Sequence, residues 1–233
     1  MLTRHEDGVL EHHFATTLLQ GHGSVHGIDS SPAMIAAAED KGVRRCTFQV
    51  LDATQMESCP DIQRGHFTKA FSNAAMHWIL QPKEGRLAFF RGVKAAVKPG
   101  GLFVFEMGGL GNVPEMQTAL MMAVARRVGI EKARQVNPWL FPDEKWIQTI
   151  MEDQVGGWKV EKIEREWRPT VADKGGVEGW VRLFGQSFFE AVDESERESC
   201  IREATDVLEI VCKSPSGGEM VSYVRLRCAA RRI

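Results

Sequence analysis

Two aspartates, Asp29 and Asp52, each follow a short apolar segment that is typical of a buried strand, at residues 25–28 and 47–51. In an open α/β sheet the carboxyl ends of parallel strands meet at one edge, and ligands bind there. At that edge Asp29 could accept hydrogen bonds from both hydroxyls of an adenosine ribose, and Asp52 from an adenine amino group. Each aspartate could instead cap the helix or turn that follows it, so the residues alone leave both interpretations open.

The segments around these aspartates alternate between strand and helix patterns. Pro32 suits the first turn of a helix that ends near Gly42. Further elements are predicted as strands at residues 67–72 and 102–105 and as a helix at residues 87–97. This alternation predicts an α/β fold with a mostly parallel sheet that is covered by helices on both faces.

After residue 111 the alternation ends and helical patterns dominate. The predicted elements there are helices at residues 115–128, from about 143, near 179–192 and at 194–213, and strands at residues 158–167 and 220–228. No linker or repeat interrupts the chain, and we therefore expect one domain over residues 1–233.

Five motifs carry a family resemblance through their order and spacing. They are GIDSSPAMI (27–35), LDA (51–53), SNAAMHW (72–78), VKPGG (97–101) and SYVRLRCAA (222–230). The chain resembles class I S-adenosylmethionine-dependent methyltransferases, which have a Rossmann-like α/β fold. It is most similar to their trans-aconitate methyltransferase-like group, particularly the fungal members. The resemblance extends from about Gly8 to nearly the end of the chain.

The resemblance implies a cofactor, S-adenosyl-L-methionine, and a set of site residues. The residues matched to cofactor contacts are Gly8, Asp29, Ser30, Asp52, Ala53 and Asn73. His77 and Trp78 match positions close to the transferred methyl group, and His77 is the one candidate for a catalytic role. His77 could instead be a core histidine bonded to the backbone, and Trp78 could be ordinary packing.

The glycine-rich loop of the family is poorly matched here. Members of the family begin with a strand and a loop resembling D-x-G-x-G-x-G, whose glycines let the backbone approach the cofactor. Aligned with residues 2–8, only Gly8 remains, while Arg4 and Glu6 replace the other glycines. Residues 1–7 are few and polar, and we therefore expect the central first strand to be absent or replaced, in a shortened or divergent chain. Unpaired strand edges would then favour dimerisation.

Aromatic and basic residues outside the predicted cofactor-binding core (residues 8–111) are candidates for the methyl acceptor. In the family, segments such as residues 112–233 form a lid, and its candidate walls here are Trp139, Trp180, Phe184 and Tyr223. Trp180 and Phe184 are four residues apart and share a helix face, which could also simply pack on the sheet. Arg225 and Arg227 share one strand face, and either could bind a carboxylate substrate.

Other chemistries match the sequence less well. The G-x-G-x-x-G of a dinucleotide dehydrogenase is absent, as is the G-x-S-x-G elbow of a serine hydrolase. The early histidines lack a metal-ligand spacing, so no metal is expected. A net charge of −2 removes the electrostatic argument for nucleic acid or an anionic membrane as partner.

The function that the sequence predicts is methyl transfer to a carboxylate or hydroxyl of a small organic acid or metabolite. The alternative is a catalytically impaired protein of the same fold that acts as a binding protein. Five scattered cysteines without a C-x-x-C pair favour free thiols and a cytoplasmic location. The expected partners are the small-molecule substrate and a second copy of the chain.

Overall fold

The strands of the protein form a single sheet in a computed structural model that describes residues 2–3, 13–14, 17, 19, 22–63, 65–172 and 175–233. The strands are β1 (Leu2–Thr3), β2 (Val25–Asp29), β3 (Cys46–Val50), β4 (Phe67–Asn73), β5 (Val97–Gly108), β6 (Trp158–Val171) and β7 (Met220–Arg232). Their order in the sheet is β3-β2-β1-β4-β5-β7-β6. The pairs β1–β2, β1–β4, β2–β3 and β4–β5 are all parallel. The predicted α/β fold with a parallel-dominant sheet is therefore confirmed.

Three of the described α-helices begin at a side-chain cap or a proline. The helices are α1 (Pro32–Asp40), α2 (Met76–Ile79), α3 (Arg86–Ala96), α4 (Pro114–Val128), α5 (Ile130–Gln135), α6 (Glu144–Gln148), α7 (Gly176–Phe184), α8 (Gln186–Phe189) and α9 (Arg197–Val211). Two 3-10 helices (Ala53–Ser58 and Glu194–Glu196) and a π-helical segment (Thr149–Val155) complete the set. The Ser31 hydroxyl accepts a hydrogen bond from the Met34 N–H, and Pro32 follows in the first turn of α1. Among the described residues, no helix is long and apolar enough to cross a membrane.

The centre of the sheet is occupied by β1, a strand of two residues. Leu2 pairs with Ile28 of β2 and with Ser72 of β4, and Thr3 pairs with Asn73. The argument that the first residues are too few and too polar to fill this position was wrong. Strand pairing uses the main-chain N–H and C=O groups, which every residue except proline has. Two residues are therefore enough to pair with the ends of the two neighbouring strands, whatever their side chains are.

Strand β5 is longer than predicted because the sequence Lys98-Pro99-Gly100-Gly101 does not end the ladder. Phe67 pairs with Val97 and Lys69 with Leu102, so the four residues between bulge from the strand. Gly100 has a φ of 77°, which glycine adopts without steric cost. The turn signal in the sequence is therefore real, but it marks a bulge within one strand.

The chain divides into two compact units. The first comprises Met1–Gly108, Leu140–Arg165 and Leu226–Ile233, and the second comprises Gly109–Trp139 and Glu166–Arg225. The first unit therefore takes in more than the predicted cofactor-binding core, since a middle segment and the last residues join it.

The core of the first unit is built from aromatic residues. Phe89 and Phe90 of α3 meet edge to face at 5.1 Å, and Phe103 and Phe105 of β5 lie 4.9 Å apart. Trp158 at the start of β6 packs on Phe103 at 6.0 Å. All five are almost fully buried, and each such side chain contributes roughly 1.5–3 kcal/mol of hydrophobic stabilisation. This core supports the strand ends that carry the candidate site.

The core of the second unit lies where α4 packs on α9. Met116, Leu120 and Val124 of α4 and Ala204 and Leu208 of α9 are buried. The spacing of these residues by three or four places them on one face of each helix. The helical periodicity of residues 115–128 thus reflects the face of α4 that is buried in this core.

All five cysteines are free thiols, as predicted. Cys46 and Cys59 are half-buried, whereas Cys200, Cys212 and Cys228 are buried. Burial raises the pKa of the Cys212 thiol to about 11 and that of the Cys228 thiol to about 12. The buried thiols therefore behave as small apolar core residues.

Candidate functional site

Asp29 is the last residue of β2, and its half-buried carboxylate lies at the carboxyl edge of the sheet. Its Oδ1 accepts a hydrogen bond of 2.8 Å from the Ser31 N–H, which places the side chain at the start of α1. Among the described residues, Oδ2 has no hydrogen-bond partner. One oxygen thus orders the turn, and the second is a candidate acceptor for a ligand.

Asp52 lies beside Asp29 because the intervening main chain is hydrogen-bonded to β2. The Leu51 N–H donates to the Asp29 carbonyl oxygen at 2.9 Å. Asp52 Oδ1 accepts hydrogen bonds of 2.8 Å from both the N–H and the hydroxyl of Thr54, and so it caps the first 3-10 helix. Its Oδ2 has no hydrogen-bond partner within the described part of the chain. Ala53, the next residue, is buried.

Asn73 ends β4 at the same edge of the sheet. It pairs in register with Thr3 of β1 on one side and with Glu106 of β5 on the other. The next residue, Ala74, has a φ of 51°, a conformation that residues other than glycine seldom adopt. Before it, the fully buried Ser72 hydroxyl has no hydrogen-bond partner in the part of the protein that the structure describes. Strain and unpaired polar groups of this kind concentrate at functional sites.

His77 lies four residues after Asn73, on α2, and is 8% exposed. Its Nδ1 accepts a hydrogen bond of 3.3 Å from the N–H of Gly108, the last residue of β5. The imidazole is flanked by the rings of Trp78 at 5.6 Å and Phe141 at 5.7 Å. The interpretation of His77 as a histidine bonded to the backbone is therefore correct for one nitrogen, and Trp78 does pack on its neighbour.

Glu106 is a residue of this edge that the sequence analysis missed. It lies near the end of β5, and its Oε2 accepts a hydrogen bond of 2.6 Å from Arg227 Nε of β7. The two side chains are about a fifth and a third exposed, so the ion pair is only partly screened by solvent. The signal was present in the sequence, since Glu106 directly follows the predicted strand at residues 102–105, as Asp29 follows the strand at residues 25–28.

An aromatic cluster in the second unit brings together four of the predicted acceptor-side residues. Trp139 lies 5.9 Å from Trp180, and Trp180 lies 5.0 Å from Phe184. Trp180 Nε1 donates a hydrogen bond of 2.7 Å to the Tyr223 hydroxyl. The Arg225 guanidinium carbon lies 4.8 Å from the centre of the Tyr223 ring, within the range of a cation–π interaction.

Two predicted cofactor-binding residues are not part of these contacts. Gly8 lies outside the described residues, as do Arg4 and Glu6 of the loop aligned with it. Ser30 is exposed between Asp29 and the cap of α1.

The chain is similar to known methyltransferases over nearly its whole length. A family model described as a methyltransferase domain matches residues 7–101. An uncharacterized methyltransferase of Schizosaccharomyces pombe is 32% identical over 228 residues, which cover 97% of this chain and 83% of that protein. The chain belongs to the class I S-adenosylmethionine-dependent methyltransferases. A non-catalytic binding protein is not favoured by these matches.

Solved methyltransferase structures share the fold. An S-adenosylmethionine-dependent methyltransferase from Anabaena variabilis matches with a TM-score of 0.59 at 10% identity, over 97% of this chain and 74% of that one. Phosphoethanolamine N-methyltransferase 2 of Haemonchus contortus matches with a TM-score of 0.52 at 17% identity. The match covers 95% of this chain and 46% of the Haemonchus chain. The latter structure contains phosphomonomethylethanolamine and S-adenosylhomocysteine.

The cofactor of this methyltransferase is S-adenosylmethionine, and the edge described above has groups that fit it. A ribose offers two hydroxyl donors and an adenine offers an amino donor, and both need acceptors. Asp29 and Asp52 each retain an oxygen with no partner among the described residues, on adjacent strand ends. Carboxylates accept such hydrogen bonds strongly because they are charged.

Proposed function

We propose that this methyltransferase methylates a carboxylate of a small organic acid, as in the trans-aconitate methyltransferase-like group. The observation that carries this proposal is the placement of Arg225 over the Tyr223 ring inside an aromatic cluster. A guanidinium is charged at every accessible pH, and its planar fork matches the two oxygens of a carboxylate. Aromatic walls with one fixed cation suit a small, partly apolar anion.

The cluster holds this cation in a defined place. Tyr223 is fixed through its hydroxyl by Trp180, and Trp180 is itself packed against Trp139 and Phe184. A side chain that is held before binding loses less conformational entropy when a ligand arrives. Of the two arginines proposed for this role, we propose Arg225, because its guanidinium lies over the Tyr223 ring of the aromatic cluster.

A carboxylate acceptor also simplifies the chemistry. When bound, S-adenosylmethionine supplies an activated methyl group. The acceptor oxygen is already ionised at neutral pH, and the protein therefore has to align it and exclude water, with no proton to remove. We propose that Asp29 and Ser30 hold the ribose, Asp52 and Ala53 the adenine, and Asn73 and Gly8 the methionine part of the cofactor.

We propose that the protein works in the cytoplasm on a small molecule. Five free thiols support a reducing, cytoplasmic location, and the net charge of −2 supports a small-molecule substrate without nucleic acid or membrane partners. We also propose a single functional domain over residues 1–233. The argument for dimerisation no longer applies, because β1 pairs with both of its neighbours and the unpaired strand edges on which it rested are absent at this position.

The test is a substrate screen with labelled S-adenosylmethionine, in which small mono-, di- and tricarboxylic acids are compared with alcohols of the same carbon skeleton. We expect transfer to acids, and we expect Arg225→Ala to raise KM for them by about tenfold to a hundredfold, as for loss of a charge-assisted hydrogen bond. Arg225→Lys keeps the charge without the fork and should be intermediate. If Arg225→Ala and Arg227→Ala both methylate acids at the unmutated rate, a neutral hydroxyl acceptor replaces the carboxylate.

A further inference from the structure

The side chain of Asn112 holds β7 at Val224. The Gly109 N–H donates to the Val224 carbonyl oxygen at 3.0 Å, as between neighbouring strands. The Val224 N–H donates to Asn112 Oδ1 at 2.9 Å, so a side-chain oxygen takes the place of the main-chain carbonyl that a continuing strand would present. Asn112 is 4% exposed, and its amide oxygen is therefore a buried structural acceptor for β7.

A second pair of hydrogen bonds holds β7 two residues earlier, at Ser222. The Ser222 carbonyl oxygen accepts from the Val113 N–H at 2.9 Å, and the Ser222 N–H donates to Glu115 Oε1 at 2.6 Å. Val113 has a φ of 45°, which a β-branched residue adopts only where the surrounding contacts impose it. Strain of this kind concentrates at ligand-binding sites, which indicates that segment 109–115 does more than connect two elements.

Tyr223 and Arg225 belong to the stretch of β7 that is held in this way. Tyr223 lies between Ser222 and Val224, and its hydroxyl accepts a hydrogen bond of 2.7 Å from Trp180 Nε1. Arg225 directly follows Val224, and its guanidinium carbon lies 4.8 Å from the centre of the Tyr223 ring. The main chain of a strand sets where each side chain begins, so the hydrogen bonds on Ser222 and Val224 fix the origin of both side chains.

We infer that Asn112 and Glu115 are positioning residues for the methyl acceptor. By holding β7, they fix the place from which the Arg225 guanidinium binds the acceptor carboxylate. This inference rests on the carboxylate acceptor proposed above, and all of these residues belong to the second compact unit. A displacement of about 1 Å is enough to weaken a contact that orients a substrate, so the loss of either side-chain hydrogen bond should weaken acceptor binding.

Asn112→Ala removes the acceptor of the Val224 N–H and should raise KM for the acid by about tenfold, while kcat stays within about threefold of wild type. In an Arg225→Ala background the same substitution should change KM by less than about twofold, because its effect passes through Arg225. An unchanged KM in the single variant would overturn the inference. A tenfold rise in both backgrounds would also overturn it, since Asn112 would then act without the guanidinium.

Glu115 offers a matched pair of variants if Asn112→Ala fails to fold. Glu115→Gln keeps an acceptor oxygen for the Ser222 N–H, whereas Glu115→Ala removes it, so only the alanine variant should raise KM, by roughly threefold to tenfold. Val124→Ala is the control for stability alone, because it truncates a buried residue about 15 Å further along α4 and should leave KM at the wild-type value. Equal KM values in the two Glu115 variants would overturn the inference.

A second measurement does not depend on any acceptor, because Tyr223 is the only tyrosine in the sequence. In the full-length protein labelled with 3-fluorotyrosine, the single ¹⁹F resonance should move in Asn112→Ala and in Glu115→Ala. It should stay close to the wild-type position in Glu115→Gln and in Val124→Ala. A resonance that is unmoved in both of the first two variants would overturn the inference. If it moves there but no acid is methylated, the two residues still position Tyr223 and Arg225, and the proposed acceptor class fails instead.

Discussion

Asp29→Asn tests whether the free oxygen of Asp29 binds the cofactor. The asparagine oxygen can still accept the 2.8 Å hydrogen bond from the Ser31 N–H, so the start of α1 should be preserved. What changes is Oδ2, which becomes an amide NH₂ that cannot accept from a hydroxyl. The substitution thus removes the proposed ribose acceptor and its charge while it keeps the turn.

The expected loss follows from the kind of bond that is removed. A hydrogen bond to a charged group contributes about 1.5–3 kcal/mol, and Asp29→Asn should therefore weaken S-adenosylhomocysteine binding by roughly tenfold to 150-fold. Asp29→Ala should weaken binding at least as much. It should also lower the free energy of unfolding by about 1 kcal/mol, because the Ser31 N–H loses its acceptor as well.

The assay is calorimetric titration with S-adenosylhomocysteine, combined with thermal unfolding without ligand. Ser31→Ala is the matched control, because it removes the cap on the Met34 N–H and leaves the Asp29 carboxylate intact. That variant should lose about 1 kcal/mol of stability and bind as wild type does. If Asp29→Asn binds within twofold of wild type, or if Ser31→Ala weakens binding as much, the ribose assignment is refuted.

Three further predictions concern the stability and reactivity of the chain. The Lys94 ammonium donates to two carbonyl oxygens at the end of the π-helical segment, so Lys94→Met should lower the free energy of unfolding by about 2 kcal/mol in a denaturation experiment. Lys159 is exposed, and Lys159→Met is therefore a control that should change the free energy of unfolding little. The hydrogen bond from Arg165 lowers the pKa of Glu144, so this pair stabilises the fold above a pH of about 4.5 and the contribution is lost as the pH falls below it. Glu144→Gln should therefore be less stable than wild type at pH 7, and this deficit should become smaller as the pH falls below about 4.5. An equal deficit at pH 7 and pH 3 would contradict the pairing. A thiol reagent at pH 8 should modify the half-buried Cys46 and Cys59 quickly, and the three buried cysteines only when the protein unfolds. Rapid modification of all five cysteines would show that burial does not protect the thiols.

The first half of the fold could be predicted because its signals are local. The strands at β2 and β3 are short apolar runs, each of which is followed by an aspartate, and α1 begins with a serine cap and Pro32. These features depend on main-chain geometry within a few residues, which composition and spacing reveal directly. The same reasoning placed Asn73 close to the end of the next strand, where the structure has it.

The features that were missed depend on partners far away in the sequence. A two-residue strand such as β1 has no periodicity, and only its pairing with Ile28 and Ser72 defines it. The ion pair between Glu106 and Arg227 joins residues 121 positions apart, so no spacing rule could predict it. The contact between the Arg225 guanidinium and the Tyr223 ring is equally invisible to a spacing rule, because it is defined by side-chain packing.

The two aspartates show why the structural and functional interpretations of a residue need not compete. Asp29 and Asp52 each cap a turn through Oδ1, which is the alternative that the sequence left open. A carboxylate has two oxygens, however, and the hydrogen bonds on one oxygen restrict the rotation of the side chain and so place the other. The capping bonds therefore prepare the ligand acceptor, since a carboxylate that is already ordered loses little entropy on binding. Thr54→Val removes the hydroxyl that donates to Asp52 Oδ1, and it should therefore weaken S-adenosylhomocysteine binding slightly in the same calorimetric titration. Unchanged binding would contradict the argument that the capping bonds order the Asp52 carboxylate for the ligand.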